Sequence, residues 1–269
     1  MSEQRIPGRA GELLAELGER AVLHDLYDEV GSAVYHDMAG RDRHEVRELL
    51  ALVRRTPGPV LDLAAGSGRL TLPLLALGRE VTALDLSPSM LALLRERLAQ
   101  APAPLAERCT VVRGDMSDFS LRRRFPVVVL GTTSVSLLDQ AGRARLYESV
   151  RAHLEPGGRF LLTTVDADPG YTGPLEIEQT YTTSGGTEYR IFDHWVPGDA
   201  VRTVTIFPAH PAHPADGPTA VCTSNVGVLP VGQLRDELAQ AGFTVRSQQQ
   251  LPAVSPRLTD VLLETESCA

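Results

Sequence analysis

Short apolar runs alternate with amphipathic segments through the middle of the chain. Strand-like runs occur in PVLDLA, EVTALDL, CTVVRGD, PVVVLG and RFLLTTV, and helical patterns lie between them in LTLPLLAL, SMLALLRERL and RARLYESVRAHL. Apolar runs that alternate with helices are typical of βα units, in which helices cover both faces of a parallel sheet. The pattern predicts a doubly wound α/β domain.

The pattern changes on both sides of this domain. Residues up to about Arg55 are predicted to be helical, because the apolar positions of HEVRELLALVRR recur at the spacing of one helix face. Residues 166–228 contain alternating runs separated by turn signals at Gly185-Gly186 and Gly198-Asp199, which indicates an inserted antiparallel β excursion. The helical segment VGQLRDELAQAG and two strand-like runs follow it.

The charged residues exclude several chemistries. All 26 basic residues are arginine, so a phosphate-loop lysine, a Schiff-base lysine and a lysine general base are absent. The formal charge is −8, and residues 166–230 contribute most of it with two arginines against eight acidic residues. This balance argues against a nucleic-acid partner and favours a cationic or amine partner.

The cysteines and the N-terminal segment bear on the compartment. Cys109, Cys222 and Cys268 are scattered and form no CxxC pair, which favours a reducing compartment. No signal peptide, membrane span or lipidation motif is visible, so we expect a cytoplasmic protein without a membrane partner. His210, His213 and Asp216 are interpreted as parts of a proline-rich loop, and no metal is expected.

The stretch VLDLAAGSGRLTLPLL joins a strand-like run to a glycine turn and a helical pattern. Such a turn lets backbone N–H groups approach an anionic or polar ligand at the start of a helix. A nucleoside triphosphate loop needs the missing lysine, and Thr71 stands where a dinucleotide fingerprint has its third glycine. Neither of these two ligand classes fits well.

Three acidic residues lie at successive predicted strand ends. Asp62 precedes the turn, Asp85 ends the next strand and can accept hydrogen bonds from a ribose diol, and Asp115 ends the third. Asp115 can accept an adenine amino proton while Met116 packs on the ring. Each acid also has a structural interpretation, as a turn cap, part of a helix start or a solvated loop residue. Together they predict a site for a nucleoside without phosphates.

At these motifs the sequence resembles the class I S-adenosylmethionine-dependent methyltransferases, over roughly residues 25–165 and 230–266. The matching segments, in order, are LDLAAGSGR, VTALDLS, GDM, FPVVVLGTTSV and HLEPGGRFLL. Ala64 departs from the glycine common in the family, and Pro126 departs from its frequent aspartate. The resemblance implies an enzyme with a Rossmann-like sheet and S-adenosyl-L-methionine as cofactor.

The resemblance also implies a division of the chain and a set of cofactor contacts. It makes residues 1–56 an N-terminal helical lid, residues 57–165 and 229–269 the cofactor-binding domain, and residues 166–228 a substrate-facing β insertion. Tyr27 and Tyr35 are expected to contact the cofactor from the lid, although aromatic packing explains them equally well. The expected cofactor-binding residues are Tyr27, Tyr35, Asp62, Ala64, Gly66, Gly68, Asp85, Leu86, Met90, Asp115, Met116 and Gly131.

The residues that would bind the methyl acceptor are less well defined, and no catalytic residue is assigned. His36, Asp37 and His194 are candidates for a base, although a surface pair explains the first two. Phe192-Asp193-His194-Trp195 combines a carboxylate, an imidazole and the one tryptophan, which could hold a cation by charge and ring face. An ordinary strand explains this segment equally well. Tyr181, Asp193 and Trp195 are the candidate substrate-binding residues.

The β insertion resembles that of small-molecule N-methyltransferases, including those acting on glycine and on deoxyamino sugars. The entry segment with the first motifs also resembles methyltransferases of daptide gene clusters, whose ribosomal peptides carry a C-terminal amine. The resulting hypothesis is transfer of one or two methyl groups to an amine of a natural product, with a peptide as acceptor. The alternatives are an amino-sugar or other small-molecule N- or O-methyltransferase, a non-catalytic S-adenosylmethionine-binding module, and a nicotinamide oxidoreductase.

Overall fold

The structure is a computed structural model that describes residues 5–38, 44–168, 170–183, 185–210, 217–252 and 257–267. The described residues group into two compact units. Unit 1 takes its residues from Met1–Arg41 and Pro169–Val228, and unit 2 takes its residues from Asp42–Asp168 and Leu229–Ala269. Within the described residues, no helix is long and apolar enough to span a membrane.

Unit 2 is built on a seven-stranded sheet with helices on both faces, which confirms the predicted fold class. Its strands lie in the order β11-β12-β6-β5-β2-β3-β4, with β11 and β12 antiparallel and the rest parallel. The strands are β2 (Val60–Leu63), β3 (Val81–Asp85), β4 (Cys109–Arg113), β5 (Phe125–Leu130), β6 (Leu154–Ala167), β11 (Phe243–Gln250) and β12 (Leu258–Ser267). The helices are α3 (His44–Val53), α4 (Thr71–Ala76), α5 (Pro88–Gln100), α6 (Ala103–Ala106), α7 (Gln140–His153) and α8 (Val231–Gln240).

The continuous apolar character of β5 follows from its position in the middle of this sheet. Val127 and Val129 pack on one face, in a cluster with residues of α3, α4 and α5. Val128 and Leu130 pack on the other face, with residues of α7 and α8. Because both faces are buried, the strand has no solvent side and therefore no polar alternation.

The strand order reverses between β2 and β5. From β2 the chain proceeds through β3 to β4 on one side, and then returns to place β5 on the other side of β2. In an open parallel sheet, the turns that follow two such strands diverge and leave a crevice at their carboxyl ends, where ligands bind. A ligand site is therefore expected at the segments after Leu63 and after Leu130.

Unit 1 is a five-stranded sheet in the order β1-β10-β9-β8-β7. Its strands are β1 (Ala21–Asp25), β7 (Glu176–Thr182), β8 (Glu188–His194), β9 (Val201–Pro208) and β10 (Thr219–Gly227), and its helices are α1 (Gly8–Leu17) and α2 (Glu29–Met38). The strands from β7 to β10 pair antiparallel, as predicted for the insertion. Residues of α1 pack with Phe192 and Phe207 on one face, and residues of α2 pack with Ile191 and Ile206 on the other.

The prediction that the chain is helical up to Arg55 is wrong at Ala21–Asp25, which form β1. This strand pairs in parallel with β10 of the insertion, with Val22 opposite Ala220. The pairing partner lies far along the chain, so a local pattern could not indicate it. Helix α3, which the sequence assigns to the N-terminal segment, groups with unit 2. The predicted domain boundaries themselves stay a prediction.

A buried ion pair joins α7 to α8 in unit 2. Arg143 donates to both carboxylate oxygens of Glu237, at 2.8 and 2.7 Å, and the Tyr147 hydroxyl donates to Glu237 Oε2 at 3.1 Å. Burial would raise the pKa of Glu237, but the hydrogen bonds from Arg143 and Gln233 outweigh it and lower that pKa. The guanidinium and the carboxylate thus compensate each other's charge where α7 meets α8.

We predict that Glu237→Gln lowers the free energy of unfolding by about 3 kcal/mol, because it leaves the Arg143 guanidinium buried without a counter-charge. Urea unfolding measures the change. Glu148→Gln, on the exposed side of α7, is the control and should stay within about 0.5 kcal/mol of the wild type. Equal losses for the two variants would contradict the assignment.

Candidate active site

The glycine turn after β2 is held by backbone hydrogen bonds. Ala65 N–H donates to Leu84 O at 3.0 Å, which attaches the turn to the end of β3, and Gly68 N–H donates to Ala65 O at 2.9 Å. Three of its residues have positive φ: Ala64 at 50°, Gly66 at 54° and Gly68 at 89°. The chain therefore reverses tightly between β2 and α4, as the sequence predicts.

Ala64 occupies a backbone conformation that favours glycine. Its φ of 50° lies in the left-handed region, which costs a residue with a Cβ roughly 1–2 kcal/mol. This is the position at which the sequence departs from the glycine common in the family. The departure therefore has a conformational cost in this turn.

Asp85 lies beside the turn, where its carboxylate is held by backbone N–H groups. Gly66 N–H donates to Oδ2 and Ser87 N–H donates to Oδ1, each at 2.8 Å. Burial raises the pKa of Asp85, and these N–H groups partly offset the rise. Each oxygen retains a further lone pair, so the oriented carboxylate can still accept a hydroxyl group such as those of a ribose.

The residues after Asp85 serve two purposes. Leu86 is 61% exposed, which leaves its side chain open to a flat apolar ligand surface. Ser87 accepts from Met90 N–H at 3.3 Å and Pro88 is the first residue of α5, so the predicted helix start is confirmed. Met90 itself is buried, and its Sδ is 4.0 Å from where a Cβ on Gly66 would lie.

Asp62 lies inside the unit rather than on its surface. The residue is 1% exposed, Oδ2 accepts from the Thr71 hydroxyl at 2.6 Å, and Oδ1 has no hydrogen-bond partner among the described residues. Burial raises the pKa of Asp62 to about 7, the Thr71 hydrogen bond opposes the rise, and the charge of Asp85 adds to it. Asp62 thus links the end of β2 to the start of α4 through Thr71. Its contact with a cofactor stays a prediction.

Asp115 and Met116 follow β4 with the exposure expected of a ligand-facing turn. Asp115 is exposed, and its Oδ1 accepts from Ser117 N–H at 2.8 Å, which orients the carboxylate. Met116 is half-buried and packs against the core. The acid and the apolar side chain are adjacent, although their contact with an adenine stays a prediction.

Two of the glycines expected at the site have close side-chain neighbours. A Cβ on Gly68 would lie 2.5 Å from Leu94 Cδ1, so this glycine lets α5 approach the turn. A Cβ on Gly131 would lie 2.5 Å from Leu70 Cδ1 and 3.0 Å from Glu45 Oε1. The positive φ of Gly68 gives a conformational reason for that glycine, and a direct contact of either residue with a ligand stays a prediction.

Glu45 is a site residue that sequence reasoning missed. It is 4% exposed and accepts hydrogen bonds from the Arg69 guanidinium, Thr132 N–H and the Thr163 hydroxyl, the last at 2.6 Å. Arg69 also donates to Thr132 Oγ1 at 2.6 Å. One signal was available, because Glu45 lies four residues before Leu49 and so places an acidic group on the apolar face of α3.

The lid and base candidates lie in unit 1. The rings of Tyr27 and Tyr35 pack against each other, with centroids 5.8 Å apart. Asp37 accepts from the Tyr189 hydroxyl at 3.1 Å, while His36 is half-buried. These contacts fit the structural interpretation, and the roles of the four candidates stay predictions.

The candidate acceptor-binding residues of β7, β8 and the segment after β8 have structural partners within unit 1. Arg202 Nη1 donates to Asp193 Oδ2 at 2.8 Å, so this carboxylate already has a counter-charge. Trp195 is 2% exposed and its indole N–H donates to Asp199 O at 2.8 Å, so little of its ring face is open to a cation. His194 is half-buried, and Tyr181 pairs with Tyr189 across the β7-β8 ladder. Their role in binding an acceptor stays untested.

The proline-rich loop is described only in part. His210 is exposed and lies 3.6 Å from Glu188 Oε2, whereas His213, Asp216 and Cys268 lie outside the described residues. Among the residues that the structure does describe, no group of three or more His, Cys, Asp or Glu side chains could hold a metal ion.

Three observations indicate that S-adenosylmethionine can bind at the carboxyl ends of the parallel strands of unit 2. The Asp85 carboxylate is pre-oriented with lone pairs to spare, the exposed Leu86 follows it, and a Cβ on Gly66 would meet nothing nearer than 4.0 Å. Asp85 would hold the ribose, Leu86 and Met116 would flank the adenine, and the glycine turn would admit the methionine portion. No lysine or third glycine is required, because this ligand has no phosphate.

Comparison with known proteins shows the family. A family model described as a methyltransferase domain matches residues 60–158. The crystallised glycopeptide N-methyltransferase MtfA, bound to S-adenosyl-L-homocysteine, is 40% identical, with 98% of this chain and 99% of that chain covered and a TM-score of 0.67. MtfA has also been crystallised with S-adenosyl-L-methionine and with sinefungin.

Two curated Streptomyces proteins are also similar. The dTDP-3-amino-3,6-dideoxy-alpha-D-glucopyranose N,N-dimethyltransferase of Streptomyces fradiae is 33% identical over 192 residues, 69% of this chain and 68% of that protein. The dTDP-3-amino-3,4,6-trideoxy-alpha-D-glucopyranose N,N-dimethyltransferase of Streptomyces venezuelae is 35% identical over 185 residues, 66% of this chain and 63% of that protein. Both act on nucleotide-linked amino sugars, as their names state.

The fold and the similarity to these enzymes define an S-adenosylmethionine-dependent transferase. The chain belongs to the class I S-adenosylmethionine-dependent methyltransferases, and S-adenosyl-L-methionine is its cofactor. It is therefore an enzyme, and the binding-module and nicotinamide alternatives are set aside.

We predict that Ala64→Gly leaves the free energy of unfolding unchanged or raises it by up to about 1 kcal/mol. Relief of the left-handed strain offsets the greater backbone freedom of glycine in the unfolded chain. Ala92→Gly, in the exposed interior of α5, is the matched control and should lose about 1 kcal/mol. Urea unfolding measures the free energy of unfolding of both variants. Equal losses of this free energy would show that Ala64 is not strained.

We predict that Asp62 makes stability fall as the pH rises. Its folded-state pKa of about 7 exceeds the ordinary value of 3.8, so its contribution is full below pH 3.8 and is lost as the pH rises through 7. Urea unfolding between pH 5 and 8 should show a steeper decline for the wild type than for Asp62→Asn, by at most about 1.4 kcal/mol per pH unit. Parallel curves would contradict the raised pKa.

Proposed function

We propose that this enzyme transfers one or two methyl groups from S-adenosylmethionine to an amine of a natural product. The observation that carries the proposal is the similarity to MtfA, a glycopeptide N-methyltransferase, because it extends over 98% of the chain and includes both units. The two curated relatives add support, since both are N,N-dimethyltransferases. An amine is the acceptor group common to all three.

The finer proposal is that the acceptor is a peptide, with the C-terminal amine of a daptide-like ribosomal peptide as the specific candidate. An alkyl amine is a cation at neutral pH, and residues 166–230 carry two arginines against eight acidic residues. Both arginines are paired, Arg190 with Glu178 and Arg202 with Asp193. The excess negative charge therefore remains after the internal pairs are formed, and its field favours a cationic acceptor.

The chemistry requires the amine to be neutral and in line with the methyl group. The bound cofactor supplies a sulfonium methyl group, which the nitrogen lone pair attacks as the carbon–sulfur bond breaks. Orientation of such a pair lowers the barrier by about 7–11 kcal/mol. The amine proton leaves to water or to a nearby base, and His36, Asp37 and His194 are the candidates in unit 1. In this proposal Asp85 orients the donor and the acidic segment attracts the acceptor.

A second candidate acceptor is an amino sugar. The observation in its favour is the identity of 33–35% to the two enzymes whose names specify nucleotide-linked amino sugars. The same donor site and the same amine chemistry serve both acceptors. The size and linkage of the acceptor are what differ.

The test is mass spectrometry of methyl transfer from isotopically labelled S-adenosylmethionine. The panel contains peptides with a C-terminal amine, glycopeptides, nucleotide-linked amino sugars and phenols. We expect labelled product on peptide amines, with one or two added methyl groups. Asp85→Ala is the negative control, since loss of the ribose carboxylate should reduce transfer to every acceptor at least tenfold.

The possible outcomes separate the proposals. Product only on amino sugars would replace the peptide acceptor with the second candidate and leave N-methylation intact. Product only on phenols would overturn N-methylation. Equal transfer by the wild type and Asp85→Ala would contradict the assignment of the donor site.

A further inference from the structure

The Glu45 carboxylate is a buried junction between three segments of unit 2. Its partners are Arg69 after the glycine turn, Thr132 after β5, and Thr163 within β6. Thr163 is 1% exposed, and its hydroxyl donates to Glu45 while its oxygen accepts from Thr133 N–H at 3.1 Å. One carboxylate thus fixes the segments that follow both β2 and β5.

The segment after β5 is a strained turn. Ser134 N–H donates to Gly131 O at 3.1 Å and closes the turn, and its two central residues, Thr132 and Thr133, have φ of 57° and 52°. Positive φ at both central positions is the sign pattern of a type I′ turn, which favours glycine and asparagine and disfavours β-branched residues. Such a conformation persists only where its surroundings impose it.

The hydrogen bonds to this turn are what impose it. Glu45 accepts from Thr132 N–H, Thr163 accepts from Thr133 N–H, and Arg69 donates to the Thr132 hydroxyl. Glu45 contributes to all three, because it accepts directly from Thr132 N–H and also accepts from the Arg69 guanidinium and the Thr163 hydroxyl that make the other two. Loss of the carboxylate would weaken the support of the turn and remove the ion pair between Glu45 and the largely buried Arg69.

The junction lies at the reversal of strand order between β2 and β5, where a parallel sheet binds its ligand. We propose that Glu45 is a positioning residue for the methyl donor. It holds Arg69 and the Thr132-Thr133 turn in the arrangement that receives S-adenosylmethionine, without touching the donor itself. The inference concerns only the binding of the methyl donor, and it does not depend on which amine is the acceptor.

The experiment measures the dissociation constant for S-adenosyl-L-homocysteine by calorimetry, together with KM for S-adenosylmethionine. Glu45→Ala removes all three hydrogen bonds to the carboxylate, from Arg69, Thr132 N–H and Thr163. We expect the dissociation constant to rise at least 30-fold. Glu45→Gln keeps an oxygen that can accept from Thr132 N–H but loses the charge that pairs with Arg69, and we expect a rise of about threefold to tenfold. Both variants should raise KM for the donor more than they lower kcat.

The matched control is Glu48→Gln on the same helix. Glu48 pairs with the exposed Arg47 and accepts from Gln249, away from the junction, and an amide there should leave the dissociation constant within twofold of the wild type. Urea unfolding of each variant gives the folded fraction, so affinity is compared for folded protein only. If Glu45→Ala fails to fold, the comparison rests on Glu45→Gln.

A rescue variant separates positioning from general stability. Asparagine tolerates positive φ and carries an oxygen that can accept from Arg69, so Thr132→Asn in the Glu45→Ala background should recover at least threefold in affinity. An unchanged dissociation constant in folded Glu45→Ala would overturn the proposal. Failure of Thr132→Asn to recover any affinity would overturn it as well. Because the readout is donor binding, failure of the proposed amine acceptor would leave this result unaffected.

Discussion

The structure of unit 2 depends on one topological constraint, the reversal of strand order between β2 and β5. Two neighbouring parallel strands end side by side, and the chain must leave them in opposite directions. In the described part of the chain, the non-glycine residues with positive φ are Ala64, Thr132 and Thr133, and all of them lie directly after these two strands. Backbone strain is thus concentrated where the sheet opens toward its ligand.

Three buried or half-buried carboxylates near this opening are stabilised in different ways. Asp85 is held by backbone N–H groups, Glu45 by a guanidinium with two further donors, and Asp62 by a single threonine hydroxyl. The least compensated of them, Asp62, has its pKa raised to about 7, because a buried charge with one hydrogen bond is poorly stabilised. A carboxylate therefore serves as an oriented acceptor in Asp85, as a structural junction in Glu45 and as a group that titrates near neutral pH in Asp62.

The sequence predicted those features that depend on local patterns. Apolar runs located the strands of unit 2, and glycines located the turn after β2. The prediction of helix up to Arg55 failed at β1, because that strand is defined by its distant partner β10 rather than by its own pattern. Sequence reasoning also missed Glu45, because the partners of a buried acid lie far away in the sequence. For Asp193 it could not anticipate the pairing with Arg202, which depends on the register of β8 against β9.

The composition of unit 1 from two distant segments has a consequence for folding. Val22 pairs with Ala220, so β1 waits for roughly 200 further residues before its partner exists. At a synthesis rate of about 5–20 residues per second, that wait is roughly 10–40 s. During this time an apolar strand with exposed Val22 and Leu23 has no edge to join, while the βα units of unit 2 are already complete up to β6. Among the strand pairings of the described residues, that of β1 with β10 thus spans the longest stretch of chain, and the N-terminal segment needs protection from aggregation for the whole of that wait.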